Sequence, residues 1–210
     1  MKIARLIVSI IFCFTGIASV YPQEGDQILD GIGETALSAR YQFRGDVRDW
    51  SRNNLHAIIN GTDYSFVNDS LFGNVLSLNG ERETFISIPG EAVRGEESVS
   101  ISGWINLCSP KSGQVFFDFG KSGKSHFFSA PAGTGEKEGC LTRIVTESGT
   151  YSSATRTLEA NKWNHMAFVI DIPSKTLSVY INGLPAGSMD NMALEPDQLF
   201  GNSSEGNNKL

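Results

Sequence analysis

Basic charge is in short supply. The 210-residue chain has 17 Lys and Arg against 23 Asp and Glu, a formal net charge of −6, and no basic patch. That balance argues against nucleic acid and against anionic membrane surfaces as partners. Long apolar runs are also missing: Leu6 to Ile17 has twelve residues, where a membrane-spanning helix needs roughly 20, so no membrane insertion is expected. There is no charge run, internal repeat or low-complexity tract. Helical periodicity never exceeds a turn or two, with Pro196-Asp197-Gln198-Leu199 the best short-helix candidate. Catalytic signatures are absent as well. A glucanase-type site needs two carboxylates on one strand face, about 5 to 5.5 Å apart for retention. Here Asp118 stands alone in VFFDF, Asp171 closes a strand, Glu91, Glu96 and Glu97 fall in a loop, and no Glu-x-Asp-x-x-Glu pattern occurs. His56, His126 and His165 are scattered, without zinc or triad spacing. These absences argue against an enzyme.

Cysteine is scarce too, and its usage depends on the N-terminus. Lys2 and Arg5 precede the apolar Leu6–Ile17 run, and Gly16 and Ala18 put small residues before a cut after Ala18. This is the grammar of a cleaved signal peptide over residues 1–18, which implies a secreted or periplasmic protein. Ile10, Ile11 and Phe12 do not form the small-residue box of a lipoprotein signal. Cleavage removes Cys13 and leaves Cys108 and Cys140 in an oxidising compartment. A bridge between them would close a loop of about 30 residues, worth roughly 3 to 4 kcal/mol by loop entropy. Because bridging needs Cα atoms within about 7 Å, a disulfide and two unpaired buried thiols both remain open.

What the chain does have is short apolar-aromatic runs separated by turn residues. After a lead-in over residues 19–36 come LSARYQF (37–43), HAII (56–59), NVLSL (74–78), TFISI (84–88), SVSISGWINL (98–107), VFFDF (115–119), HFFSA (126–130) and LTRIVTE (141–147). Leu37, Ala39, Tyr41 and Phe43 alternate, as do Val99, Ile101, Ile105 and Leu107, which is the period of a strand with one buried face. WNHMAFVID (163–171) and TLSVYING (176–183) flank a Pro-Ser-Lys turn and read as a β-hairpin; Asn182-Gly183 then suits a tight reversal with positive φ. Many short strands without helices imply an all-β, two-sheet antiparallel sandwich.

In that order, YQFRGDVRDWSRNNLHA, FGNVLSLNG, SVSISGWINL, NKWNHMAFVID and LSVYING resemble the laminin-G-like, concanavalin A-like jelly-roll superfamily in its bacterial form. ILDGIGETALSARYQF with FFDFG and HFFSAP resembles more narrowly the domains attached to secreted glycoside hydrolases. The resemblance implies one jelly-roll domain over residues 37–210, binding a glycan or polysaccharide rather than catalysing. Members usually continue past Phe200-Gly201-Asn202 with an acidic closing strand. The chain stops at Leu210, where that strand would begin, so the expectation is a domain lacking its last strands and detached from a hydrolase partner domain. A structural or protein-contact jelly roll with no sugar site is the alternative.

Two sets of side chains fit such a domain. Trp104, among Ser100, Ser102 and Asn106, and Trp50, in the DWSRNN loop, are candidate sugar-stacking rings; burial of Trp104 fits the sequence too. Asp46, Asp49 and Asn53 on one loop, with Asp69, offer hard oxygen ligands for a structural Ca²⁺, where ordinary Asx turns are the other reading.

Overall fold

A computed structural model describes residues 36–80, 83–122, 125–135, 139–200 and 210. The expected signal peptide, nearly all of the lead-in segment and residues 201–209 lie outside these. The described strands, in chain order, are β1 (Ile58–Asn60), β2 (Tyr64–Asp69), β3 (Gly73–Leu78), β4 (Phe85–Ser87), β5 (Ser98–Asn106), β6 (Phe117–Ser122), β7 (Ser125–Ala130), β8 (Cys140–Thr146), β9 (Gly149–Thr155), β10 (Trp163–Asp171), β11 (Thr176–Ile181) and β12 (Leu184–Met189). A short helix, α1 (Pro196–Phe200), follows them. One four-stranded sheet has the order β12-β11-β10-β5 and a second has β6-β7-β8-β9; β1-β4 and β2-β3 form two-stranded ribbons. All described pairings are antiparallel.

Alternation places the core between the two large sheets. Asn164, Met166, Phe168 and Ile170 of β10 are buried, as are Leu177, Val179 and Ile181 of β11. From the second sheet, Phe117, Phe127 and Ile144 are fully buried. Phe168 meets Phe117 edge-on at 4.9 Å, and Phe117 meets Phe127 at 4.8 Å. These rings bridge the two sheets in the T-shaped geometry that ring quadrupoles favour.

The hairpin read from the sequence is present as β10 and β11, with Phe168 opposite Val179. Beyond it, Asn182 (φ 53°) and Gly183 (φ 77°) both adopt positive φ, the geometry of a two-residue turn that matches strand twist. The turn leads into β12, a strand that its Pro and Gly did not suggest. At Gly187 of β12 a Cβ would fall 2.7 Å from Ser153 Oγ on β9, so a side chain there would push the two sheets apart. Near the other edge, Ile86 of β4 exchanges both backbone hydrogen bonds with Leu210, each 2.9 Å.

Two expectations need correction. The run over residues 37–43 is not a strand; it contributes one isolated bridge, Tyr41 to Asp49. Its period-two pattern is real, since Ala39, Tyr41 and Phe43 pack on the core. The Arg40 N–H, however, goes to the Asp49 carboxylate instead of a neighbouring strand, and Phe43 turns to φ 54°. The Cys108–Cys140 disulfide is not formed. Cys108 follows β5 of the first sheet and is exposed, whereas Cys140 opens β8 of the second and faces the core. Burial raises the Cys140 pKa above the usual thiol range, an effect only partly offset by hydrogen bonds from Ser129 and Thr155.

Candidate functional site

The outward face of the first sheet is built by the same alternation that buries Phe168. Trp104 on β5 stands directly opposite His165 on β10. Its indole is 51% exposed, although burial of so large an apolar ring is the usual outcome. Two rings fix it: His165 lies edge-on at 5.2 Å and Phe72 tilts against it at 5.3 Å. Beyond Trp104 the face continues through Ser102, Ala167 and Tyr180, then Ser100, Val169 and Ser178. Serines and an alanine of β5, β10 and β11 thus share this face with Tyr180 and Val169.

Phe72 reaches this face because of Asp69. Oδ1 of Asp69 accepts the Leu71 and Phe72 N–H groups at 2.8 and 3.0 Å, which folds the β2–β3 turn as an Asx turn. Its Oδ2 accepts the Trp163 indole N–H at 3.0 Å, and Phe72 packs edge-on to Trp163 at 4.9 Å. The indole donor, then the Phe72 and Leu71 N–H groups, hold the Asp69 carboxyl below the usual carboxylate range. On the other side of the platform, Asn182 Oδ1 accepts the His165 N–H at 2.8 Å, and the Asn182 N–H donates to the His165 carbonyl. The turn residue thus pins the strand that carries His165.

The loop over residues 46–54 has a different character. Asp49 is 5% exposed and accepts four hydrogen bonds: from the N–H groups of Arg40, Ser51 and Leu55 and from the Ser51 hydroxyl, all at 2.7 to 2.8 Å. Burial opposes its ionisation, but these donors outweigh burial and hold its pKa low. Its charge, after burial itself, raises the neighbouring Tyr41 phenol well above its ordinary value. Trp50 is partly buried, with its indole N–H buried and without a partner among the described residues. It lines an open hollow of about 200 Å³ with Arg48, Asp49, Ser51, Arg52 and Asn54.

The oxygen donors expected for Ca²⁺ are not brought together as a ligand set. Asp49 already accepts four hydrogen bonds from protein donors. Asp46 Oδ1 accepts the Arg48 N–H, Asn53 Nδ2 donates to the Leu37 and Ser38 carbonyls, and Asp69 serves its own turn and Trp163. Among the described residues no group of three or more His, Cys, Asp or Glu is arranged to hold a metal ion.

The second sheet has an outward face that the sequence reading did not single out. Asp118, Phe128, Arg143 and Ser152 stand in one row across all four strands. Asp118 Oδ1 lies 2.9 Å from His126 Nδ1, His126 stacks on Phe128 at 5.2 Å, and the Arg143 guanidinium lies over Phe128 at 5.9 Å. The signal was available: alternation in VFFDFG and SHFFSA puts Asp118 and His126 opposite the core-facing Phe117, Phe119 and Phe127.

The chain matches a known family over most of these elements. The description of the concanavalin A-like lectin/glucanases superfamily, in its laminin G form, fits residues 79–209. The chain belongs to this family. Among solved structures, this laminin G-type domain is similar to domain 4 of AbnA, a GH43 extracellular arabinanase from Geobacillus stearothermophilus, in complex with arabinotriose. That match has 22% identity and a TM-score of 0.68, covering 83% of this chain and 82% of the other. It is also similar to the binding domain of botulinum neurotoxin DC in complex with SialylT, at 14% identity and a TM-score of 0.53, covering 73% of this chain and 39% of the other. At these identities the likeness is one of fold. Comparison with curated proteins gives no match.

Proposed function

We propose that this protein is an exported, non-catalytic carbohydrate-binding module that serves a polysaccharide-degrading system. One observation carries the reading: Trp104 is half exposed yet held rigid between Phe72 and His165. An exposed indole is costly in water, at about 25 cal/mol per Å² of apolar surface, and a ring already fixed in place loses little entropy when a ligand stacks on it. The apolar face of a sugar ring is a fitting occupant, with the imidazole of His165 and small polar side chains alongside for hydroxyl groups. The solved complex of the Geobacillus domain with arabinotriose supports the reading by fold analogy. Export rests on the signal-peptide grammar of residues 1–18.

Affinity electrophoresis against arabinan and other plant polysaccharides tests this. Wild type is expected to be retarded by at least one, and Trp104→Ala to lose about tenfold in affinity, close to 1.4 kcal/mol, with an unchanged circular dichroism spectrum. Retardation of neither form by any polysaccharide overturns the proposal. The second reading, a structural or protein-contact domain, draws on the same packing, because Phe72 and His165 also brace a structural tryptophan. It predicts that Trp104→Ala lowers the melting temperature and leaves any retardation unchanged.

A further inference from the structure

We infer that Tyr180 is a second sugar-stacking position, so that the outward face of the first sheet takes an extended oligosaccharide chain lying obliquely across β10 from Trp104 to Tyr180. Such a ligand is a special case of the function proposed above, on which this reading rests: a chain of linked sugars, not one terminal unit.

Strand register puts the two rings on one face. Trp104 stands opposite His165, Ser102 opposite Ala167, and Ala167 opposite Tyr180. Opposed residues, and residues two apart on one strand, share a side of the sheet. Met166 and Phe168 of β10 and Val179 and Ile181 of β11 fill the inner side, so Tyr180 points outward with Trp104. Its surroundings agree. Tyr41 and Tyr151 pack against the core, whereas Tyr180 is partly exposed and does not. Its phenol makes no hydrogen bond and its ring no aromatic contact among the described residues. A tyrosine buried for packing usually finds a partner for its hydroxyl; this one is left to the solvent side.

The spacing of the rings sets the form of the ligand. Trp104 and Tyr180 are separated by two strand spacings of about 4.8 Å and by two residues of about 3.4 Å, so their backbones lie about 12 Å apart. No single sugar ring reaches from one to the other, and a short chain does. Between them lie the Ala167 methyl, the Ser102 hydroxyl and the His165 imidazole. Neither the Ser102 hydroxyl nor the His165 ring has a hydrogen-bond partner among the described residues, which leaves both for the hydroxyl groups of a bridging sugar. Each aromatic ring offers a weak contact alone. Once a chain engages one of them, engaging the second is intramolecular, so affinity rises with chain length until both rings are covered. Tryptophan and tyrosine carry only two χ angles each, so ordering them on binding costs little entropy.

Isothermal titration calorimetry tests the assignment with oligosaccharide series, from monosaccharide to hexasaccharide, prepared from arabinan, from xylan and from each other polysaccharide that retards wild type. In at least one series the affinity of wild type is expected to rise about tenfold between the monosaccharide and the first chain that covers both rings, and to level off beyond it. Tyr180→Ala should remove that rise and leave every length near the monosaccharide value. Tyr180→Thr, which keeps strand propensity, should do the same, and Tyr180→Phe should keep most of the rise. Trp104→Ala should weaken binding at every length. A tyrosine with a merely structural role would instead change all lengths by one factor. Affinity that does not depend on chain length in any series, or a wild-type rise in both Tyr180→Ala and Tyr180→Thr, overturns the inference and leaves the proposed function intact. A uniform loss across all lengths in both variants does the same. Binding of no chain in any series counts against both.

Discussion

Phe168→Ala should destabilise the protein by about 4 kcal/mol, within the range for truncating a fully buried aromatic ring. The ring has no exposed surface and touches Phe117, Phe116 and Phe127 at centroid distances of 4.9, 6.2 and 6.5 Å. Alanine forfeits the transfer free energy of the ring. It also leaves a void between two sheets whose hydrogen-bonded backbones cannot collapse into it. Urea denaturation provides the measurement: a lowered midpoint with unchanged slope reports a pure loss of stability. Val169→Ala, one residue along β10 on the outward face and 38% exposed, should cost less than about 1 kcal/mol. Equal effects at the two positions would mean that the sheets do not pack through these rings.

Asp49→Ala is expected to cost about 3 kcal/mol, although it removes no apolar contact of note. Four donors lose their acceptor at once, three of them backbone N–H groups, and a buried donor left without a partner costs about 1 to 3 kcal/mol. The pH dependence has a definite sign. The folded-state pKa of Asp49 is depressed, whereas in the unfolded chain an aspartate titrates near 3.9. Its contribution is therefore fully present above about pH 4 and is lost as pH falls through the folded value. The stability gap between wild type and Asp49→Ala should be wide at pH 7 and narrow steadily below about pH 4. Asp69 and Asp171 are depressed as well and tilt both curves alike, so the difference isolates Asp49. A gap that stays constant down to pH 2 would show that the carboxylate charge is not what holds the loop.

Strands with a strong period were legible in the sequence. SVSISGWIN and WNHMAFVID carry β-branched and aromatic residues on a buried face, and they form β5 and β10. β9, with the sequence GTYSSAT, gave no such signal, because its inward positions are Tyr151, Ser153 and Thr155 and its outward ones are small. Such a strand is held by its ladder to β8 more than by burial, and a ladder leaves no mark in hydropathy. At the platform, Trp104 was legible as a tryptophan among serines. Phe72 and His165 beside it were not, since they arrive through a hairpin tip and a cross-strand register that no local spacing encodes. The loop aspartates show the opposite limit. Their residue type suited a cation equally well, and only the positions of the surrounding N–H groups reveal that Asp49 is already engaged.

The pairing of β5 with β10 also has a consequence in time. Ser98 and Asp171, which face each other at one end of this ladder and share a hydrogen bond, are 73 residues apart in the chain. Hairpins such as β10–β11 form within about 1 to 10 μs, whereas long-range antiparallel closure places a protein in the millisecond-to-second class. Trp104 and His165 lie on the two partners of that slow step. During refolding the early hairpins would be present before the platform exists, and Trp104 and His165 would meet only when the slowest closure is complete.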